Sequence, residues 1–152
     1  MDTTSEQERY QALDLILELV VLLNADMSRR LAADQLTPAR TTVLWTLRGR
    51  GPATQRQLAE ALDVSARNIT GLVDGLAGAD LVSREPHPTD RRATLVTLTR
   101  RGTQLVETLE AEQREFASLL FDDMPAPRLH GIVDGLADVV GRLKAEGLKA
   151  HE

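Results

Sequence analysis

The chain has 152 residues, 42% of which are apolar, carries a formal net charge of -5 and contains no cysteine. This length and apolar content fit one domain with a proper core, or one domain with helical extensions. The missing cysteines exclude disulfides, thiolate zinc sites and thiol-based redox sensing, including peroxide sensing through a thiol. One Trp, one Tyr and two Phe are too few to stack single-stranded nucleic acid, so duplex DNA is the better nucleic-acid partner.

The N-terminus is polar and acidic rather than basic and apolar, and no apolar run approaches membrane-spanning length. We therefore expect a cytoplasmic protein with no membrane association. Apolar residues at helical spacing then predict a long first helix from about Glu6 to Ala33, with residues 1 to 8 frayed. The stripe consists of Leu13, Ile16, Leu17, Val20, Leu23, Met27 and Leu31. Val21 and Leu22 make it wider than one supporting face needs, which indicates a partner chain as a second neighbour.

The next helix is predicted from its capping signals. Thr37 followed by Pro38 marks a helix start, and Gly51-Pro52 ends that helix after Arg50. Trp45 should lie in or beside the core.

Two short helices follow. Thr54 and Gln57 have the spacing of a capping box, and Ser65 caps a second helix after a short turn. The second helix has a stripe to be buried, formed by Ile69, Leu72, Val73 and Leu76, and it leaves Ala66, Arg67, Asn68, Thr70, Gly71 and Asp74 on other faces. Two helices joined in this way have the geometry that places a recognition helix in the DNA major groove.

A hairpin is predicted next, with strands at Leu81 to Glu85 and Ala93 to Leu98 and a loop over residues 86–92. Two prolines in the loop cannot donate to a strand ladder, so the hairpin must open there. The adjacent guanidinium groups of Arg91 and Arg92 suit phosphate or minor-groove contact. The loop is therefore predicted to be the wing of a winged helix-turn-helix.

Two helices complete the chain. Thr99 caps the first, which should run to about Asp122, and after a break at residues 122–127 the second should run to about Glu146, with a frayed end. The stripes at both chain ends suit a C2 dimerisation region. We therefore predict a mainly α fold, with a winged helix-turn-helix lobe and small β-hairpin wing at 37–99. The N- and C-terminal helices, 6–33 and 100–147, should form the dimerisation region.

One sequence order resembles the MarR family of bacterial transcription regulators over roughly the whole chain. It runs Leu36-Thr37, Leu58-Ala59, Ser65, Leu72-Val73-Asp74, Leu76, Leu81-Val82, Asp90-Arg91-Arg92 and Leu98-Thr99-Arg100-Arg101-Gly102. The resemblance implies a third short strand at Ala53, a homodimer, and a cleft for a small-molecule effector, commonly an aromatic acid, between the dimer helices and the DNA-binding lobe. It also implies that Arg91 enters the minor groove, oriented by Asp90, while Arg92 braces the wing.

Three residues depart from the family pattern. Asp80 replaces the usual glycine before Leu-Val, although Asp tolerates the left-handed conformation that such a helix end needs. Gly71 and Gly75 each cost roughly 1 kcal/mol against Ala inside a helix. Gly71 also removes a basic side chain that is often present on that face. Weaker affinity or an unusual operator should follow.

Charge is unevenly distributed along the chain. Pro38 to Arg100 contains nine arginines against six acids, whereas the remainder is acidic. This asymmetry presents a mildly basic middle to phosphate, although a difference of this size also occurs in ordinary solvated domains.

The candidate DNA contacts fall into three groups. The recognition helix offers Ser65, Ala66, Arg67, Asn68 and Thr70; the wing offers Arg84, His87, Asp90, Arg91 and Arg92; and Thr54 and Gln55 are candidates for phosphate contact. Arginine reads guanine and asparagine reads adenine through bidentate hydrogen bonds. Alternatively, Arg67 and Asn68 are ordinary surface residues, and Arg91 and Arg92 pair with Asp90 or Glu85 as a solvated cluster.

The sequence predicts a sequence-specific regulator that binds double-stranded DNA at an inverted-repeat operator. The resemblance implies that it is a repressor, released from DNA by a small-molecule effector of unknown identity. The alternative is a winged-helix protein-interaction module without specific DNA binding. No enzyme motif is present, and the isolated histidines His87, His130 and His151 are expected to be solvated. We expect no metal and no cofactor.

Overall fold

The computed structural model describes residues 3–147, with side chains from Ser5 onward. Its elements are α1 (Thr3–Ala32), α2 (Pro38–Arg50), β1 (Ala53–Thr54), α3 (Gln55–Leu62), α4 (Ala66–Gly78), β2 (Val82–Pro86), β3 (Thr94–Leu98), α5 (Arg100–Phe121) and α6 (Ala126–Ala145). The mainly α winged helix-turn-helix fold is therefore confirmed, including the small strand at Ala53.

The predicted fraying of the N-terminus is wrong for residues 3–8, because α1 already begins at Thr3. Glu6 lies in the first turn, where a negative charge favours the helix macrodipole, and Arg9 donates to the hydroxyl of Ser5 at 2.9 Å. The fraying predicted for residues 1–2 and for the C-terminal end, and the solvated His151, lie outside the described residues.

The chain divides into two compact units between Thr41 and Thr42. In the first unit, α1 ends in a turn where Gln35 adopts a left-handed φ of 57° and the Leu36 amide donates to the Leu31 carbonyl at 2.9 Å. Leu31 and Leu36 are buried, whereas most of the predicted α1 stripe is exposed. The predicted grouping of 6–33 with 100–147 in one dimerisation region stays a prediction.

The second unit contains a three-stranded antiparallel sheet in the order β1-β3-β2. Its core is formed by buried aliphatic side chains from the helices and strands, namely Val43, Leu44, Leu47, Leu58, Ile69, Val73, Leu76, Leu81, Val82, Val96 and Val106. Trp45 is half-buried, as predicted for a residue beside the core.

The two long strands each begin one residue later than predicted. Leu81 is not in β2 because its amide donates to the Leu76 carbonyl at 2.9 Å and so closes the end of α4. Pro86 ends β2 opposite Thr94 instead of opening the loop, since the end of an edge strand tolerates a residue without an N–H group.

The predicted helix starts are confirmed by their hydrogen bonds. Thr54 and Gln57 form the reciprocal capping box, and Ser65 and Thr99 accept from the amides of Asn68 and Gly102, respectively. Asp80 adopts a left-handed φ of 58° after α4, which confirms that aspartate serves at this position.

The start of α5 packs closely on the end of α4. The Thr99 amide donates to the Leu81 carbonyl at 3.1 Å, and a Cβ atom on the buried Gly102 would overlap that same carbonyl oxygen. This close contact explains why the Leu-Thr-x-x-Gly motif has glycine at its last position.

Candidate nucleic-acid interface

The outward face of α4 presents the predicted base-reading residues. Ile69, Val73 and Leu76 are buried, whereas Ser65, Ala66, Arg67, Asn68 and Thr70 are all exposed. Within residues 3–147, the side chains of Arg67 and Asn68 make no hydrogen bond or ion pair to another protein group. Their donors and acceptors are therefore available to an external partner.

The start of α3 lies beside the wing. The Thr54 hydroxyl accepts from the Gln57 amide at 3.1 Å and so acts as the helix cap, which leaves its proton available for donation. Thr54, Gln55, Arg84 and Asp90 help to line one open cleft of about 540 Å³. The structure thus brings both predicted phosphate contacts together with two of the predicted wing residues.

Three of the predicted DNA contacts bond to one another rather than standing free. Arg84 donates from Nε and Nη2 to the Gln55 side-chain oxygen at 3.1 and 2.9 Å, and from Nη2 to the Asp74 carboxylate at 2.5 Å. The Gln55 amide nitrogen donates in turn to the Thr70 hydroxyl at 3.0 Å. We call these four residues, Gln55, Thr70, Asp74 and Arg84, the α4–β2 network.

The wing loop is organised by His87 and Asp90. The Nδ1 atom of the half-buried His87 accepts from the amides of Thr89 at 3.2 Å and Asp90 at 3.1 Å. An accepting Nδ1 carries no proton, so the ring N–H lies on Nε2. The Asp90 carboxylate accepts from the Arg92 amide at 2.9 Å. These bonds shape the turn that carries Arg91 and Arg92.

The arginines at the wing tip point to no protein partner. Within the described part of the chain, neither Arg91 nor Arg92 forms an ion pair or side-chain hydrogen bond, and both are exposed. Glu85, the alternative acid partner for these arginines, accepts instead from the Ser83 hydroxyl at 3.0 Å. In the free protein the two guanidinium groups are therefore available for an anion such as phosphate.

Sequence reasoning missed Asp74 and the acceptor role of His87. Arg67, Thr70 and Asp74 are spaced by three and four residues, which places Asp74 on the outward face of α4, and this spacing was the available signal. Nothing in the sequence pairs Asp74 with a particular arginine, because Arg84 reaches it from a strand of the hairpin.

Two other features, a metal site and a membrane-spanning helix, are not found among residues 3–147. No group of three His, Asp or Glu residues there is placed to hold a metal ion, and none of the helices described has the length and apolar content needed to cross a membrane. A helix that exposes the unpartnered side chains of Arg67 and Asn68, next to a hairpin tipped with arginines, is the arrangement of a winged helix-turn-helix protein.

Comparisons with known proteins agree with this class. The model of the MarR family matches residues 36–94. The HTH-type transcriptional repressor NicR of Pseudomonas putida is 34% identical over 92 residues, which cover 60% of this chain and 58% of NicR. The uncharacterized HTH-type transcriptional regulator Mb0904 of Mycobacterium bovis is 30% identical over 97 residues, which cover 64% of this chain and 68% of that protein.

A solved structure shares the fold over most of the chain. The crystal structure of RV1404 from Mycobacterium tuberculosis matches with a TM-score of 0.71 and 30% identity over 85% of this chain and 90% of that chain. The chain belongs to the MarR family of transcription regulators.

Proposed function

We propose that this protein is a sequence-specific double-stranded-DNA-binding transcriptional repressor that acts as a homodimer. The observation that carries the proposal is the pair of unpartnered purine-reading side chains, Arg67 and Asn68, on the exposed start of α4. Asparagine and arginine in this position recognise adenine and guanine edges. The similar protein NicR is a transcriptional repressor, which supports repression over activation.

The wing supplies the second part of the proposed interface. Arg91 and Arg92 are exposed on a turn fixed by His87 and Asp90, so they can contact phosphate or a narrow minor groove without first breaking an internal ion pair. The positive charge of the region from Pro38 to Arg100 supports the same contact.

The proposed homodimer rests on apolar surface that the single chain leaves uncovered. On α6, Val133, Leu136, Val139, Val140 and Leu143 are exposed, and α1 exposes a longer series. A two-fold dimer would present two recognition helices about one turn of DNA apart, so the operator should be an inverted repeat. A small molecule should release the DNA; nothing on α4 or the wing identifies that molecule.

Binding of the chain's own upstream DNA tests the proposal. A gel-shift titration should compare that duplex with a scrambled duplex of equal length and composition over a range of salt concentrations. We expect tighter binding to the upstream duplex, and an affinity that falls as salt rises because phosphate contacts release counterions. Equal, weak retention of both duplexes would favour a winged-helix protein-interaction module.

A further inference from the structure

The α4–β2 network joins three elements of the DNA-binding lobe. Thr70 and Asp74 lie one turn apart on α4, Gln55 is the first residue of α3, and Arg84 lies at the centre of β2. The network consists of hydrogen bonds between side chains, with Arg84 at its centre. The recognition helix is thereby tied both to the preceding helix and to the wing.

Hydrogen bonding leaves these side chains little freedom. The Thr70 hydroxyl donates to the Ala66 carbonyl at 2.9 Å while it accepts from Gln55 at 3.0 Å. Its one proton is therefore already used, and Thr70 cannot donate a hydrogen bond to DNA. Arg84 donates its Nε proton and one Nη2 proton to the Gln55 oxygen, and its other Nη2 proton to the Asp74 carboxylate.

The placement of Asp74 explains why Arg84 is needed. Asp74 shares the outward face of α4 with Arg67 and Thr70, and its side chain is 61% exposed. An unpaired carboxylate on that face would repel DNA phosphate. Arg84, whose side chain is 35% exposed, neutralises this charge and holds the planar Gln55 amide in one orientation.

We infer that Asp74 and Arg84 form an internal ion pair that positions Gln55 and Thr70 against DNA, so that Arg84 acts as a counter-ion and positioning residue rather than as a phosphate contact. This inference rests on the proposed function. The sequence predicted Arg84 to be a DNA contact of the wing, and the inference gives it a positioning role instead. The inference also adds Asp74 to the residues that set specificity.

A double-mutant cycle tests the inference, since it isolates the coupling between two residues. The variants are Arg84→Gln, Asp74→Asn and the combined Asp74→Asn/Arg84→Gln, which has the net charge of the wild type. Arg56→Gln is the matched control, because it also removes one arginine charge from the same lobe, and among the described residues Arg56 forms its ion pair with Glu60 of its own helix. Each is titrated with upstream and scrambled duplexes over a salt series.

We expect Arg84→Gln to weaken binding to the upstream duplex at least tenfold. The combined variant should return within about threefold of the wild type, with its salt dependence unchanged, because the uncompensated Asp74 charge is also removed and the introduced amide can still donate to the Gln55 oxygen. Asp74→Asn should tighten binding to scrambled DNA and lower the specificity ratio, because Arg84 then carries an uncompensated charge. Arg56→Gln should change affinity less than Arg84→Gln. A combined variant as weak as Arg84→Gln, with a salt slope flattened by about 1 to 2 units per dimer, would overturn the inference.

A measurement without DNA separates this inference from the proposed function. In the free protein the Nε–H of Arg84 should give a slowly exchanging NMR signal, which Gln55→Ala should abolish by removing its acceptor. Exchange as fast as that of the unpartnered Arg67 Nε–H would contradict the network. If the wild type binds neither duplex, the proposed function fails, and this exchange measurement alone decides whether the network exists.

Discussion

At the scale of single residues, Gly102 is held by a contact rather than by a backbone conformation. Its α-carbon packs against the Leu81 carbonyl oxygen, to which the Thr99 amide also donates. Any side chain must push α5 away from the end of α4. The motif Leu-Thr-x-x-Gly therefore joins a helix cap, Thr99, to a close approach three residues later.

We expect Gly102→Ala to destabilise the fold by about 3 kcal/mol or more, because inserting a carbon atom into a packed site displaces backbone. Urea unfolding followed by circular dichroism would measure the change. Gly49→Ala is the control, since a Cβ there meets no atom within 4 Å, and it should leave stability equal or slightly higher. Equal stability of the two variants would contradict the close packing.

His87 illustrates a residue whose role depends on one atom. Its Nδ1 gathers two backbone amides of the wing turn, in the way that an asparagine side chain accepts from the amide two residues on. Any polar residue could replace a solvated histidine. Here, however, only a side chain that can accept from these two amides can replace His87.

His87→Ala should weaken DNA binding about fivefold. Without the acceptor, the turn that carries Arg91 and Arg92 loses roughly 1 kcal/mol of hydrogen-bond stabilisation, and binding must then restore its conformation. His87→Asn should bind within about twofold of the wild type, since the amide oxygen replaces Nδ1. Fluorescence anisotropy with a labelled upstream duplex would measure both affinities. Equal losses in the two variants would show that the ring itself contacts DNA.

At the scale of elements, the sequence predicted most of what is local. The caps at Thr54, Ser65 and Thr99, and the left-handed Asp80, follow from interactions within a few residues, so the spacing of residue types was sufficient. The strand starts shifted by one residue because Leu81 closes α4. Arg84 differs in kind: its partners lie 10 and 29 residues away in sequence, and residue spacing contains no information on such contacts.

The recognition helix and the wing should fail differently when mutated. Asn68→Ala should lose about 1 to 3 kcal/mol on the upstream duplex and less on scrambled DNA, because a base contact distinguishes sequences. Arg91→Ala should weaken binding to both duplexes and flatten the log-log salt dependence by about 1 to 2 units per dimer. Salt titrations of both variants on both duplexes would measure these changes.

Comparison of the two variants decides between the roles assigned to them. If Arg91→Ala changes neither affinity nor salt slope, the wing does not contact the DNA, and the alternative of a solvated surface cluster gains support. An equal loss on both duplexes for Asn68→Ala would instead show that α4 contacts the backbone rather than bases.

At the scale of the whole molecule, the absence of cysteine sets a limit on regulation. This chain has no thiol with which to form a disulfide bond. Any change in DNA binding must therefore come from non-covalent interactions or from chemistry at other residues.

The apolar stripes at the chain ends show the limit of sequence patterns at this scale. The spacing of apolar residues predicted that α1 and α6 pack against neighbouring surfaces. In the single chain, large apolar side chains of both helices are exposed. Periodicity states that apolar surface requires a neighbour, but it does not identify that neighbour, because any apolar surface of matching shape satisfies it.

A second copy of the chain is the neighbour that we propose, and a charge on α6 tests it. We expect the wild type to sediment as a dimer at micromolar concentration and Leu136→Glu to sediment as a monomer, because an unpaired carboxylate in an apolar interface is strongly unfavourable. Leu136 lies within the apolar series of α6, whereas Gly141 lies on the opposite, polar side. Gly141→Glu adds the same charge and should remain dimeric. A wild type whose mass stays at 16.7 kDa at every concentration in sedimentation equilibrium would refute the homodimer, and the inverted-repeat operator would lose its structural basis.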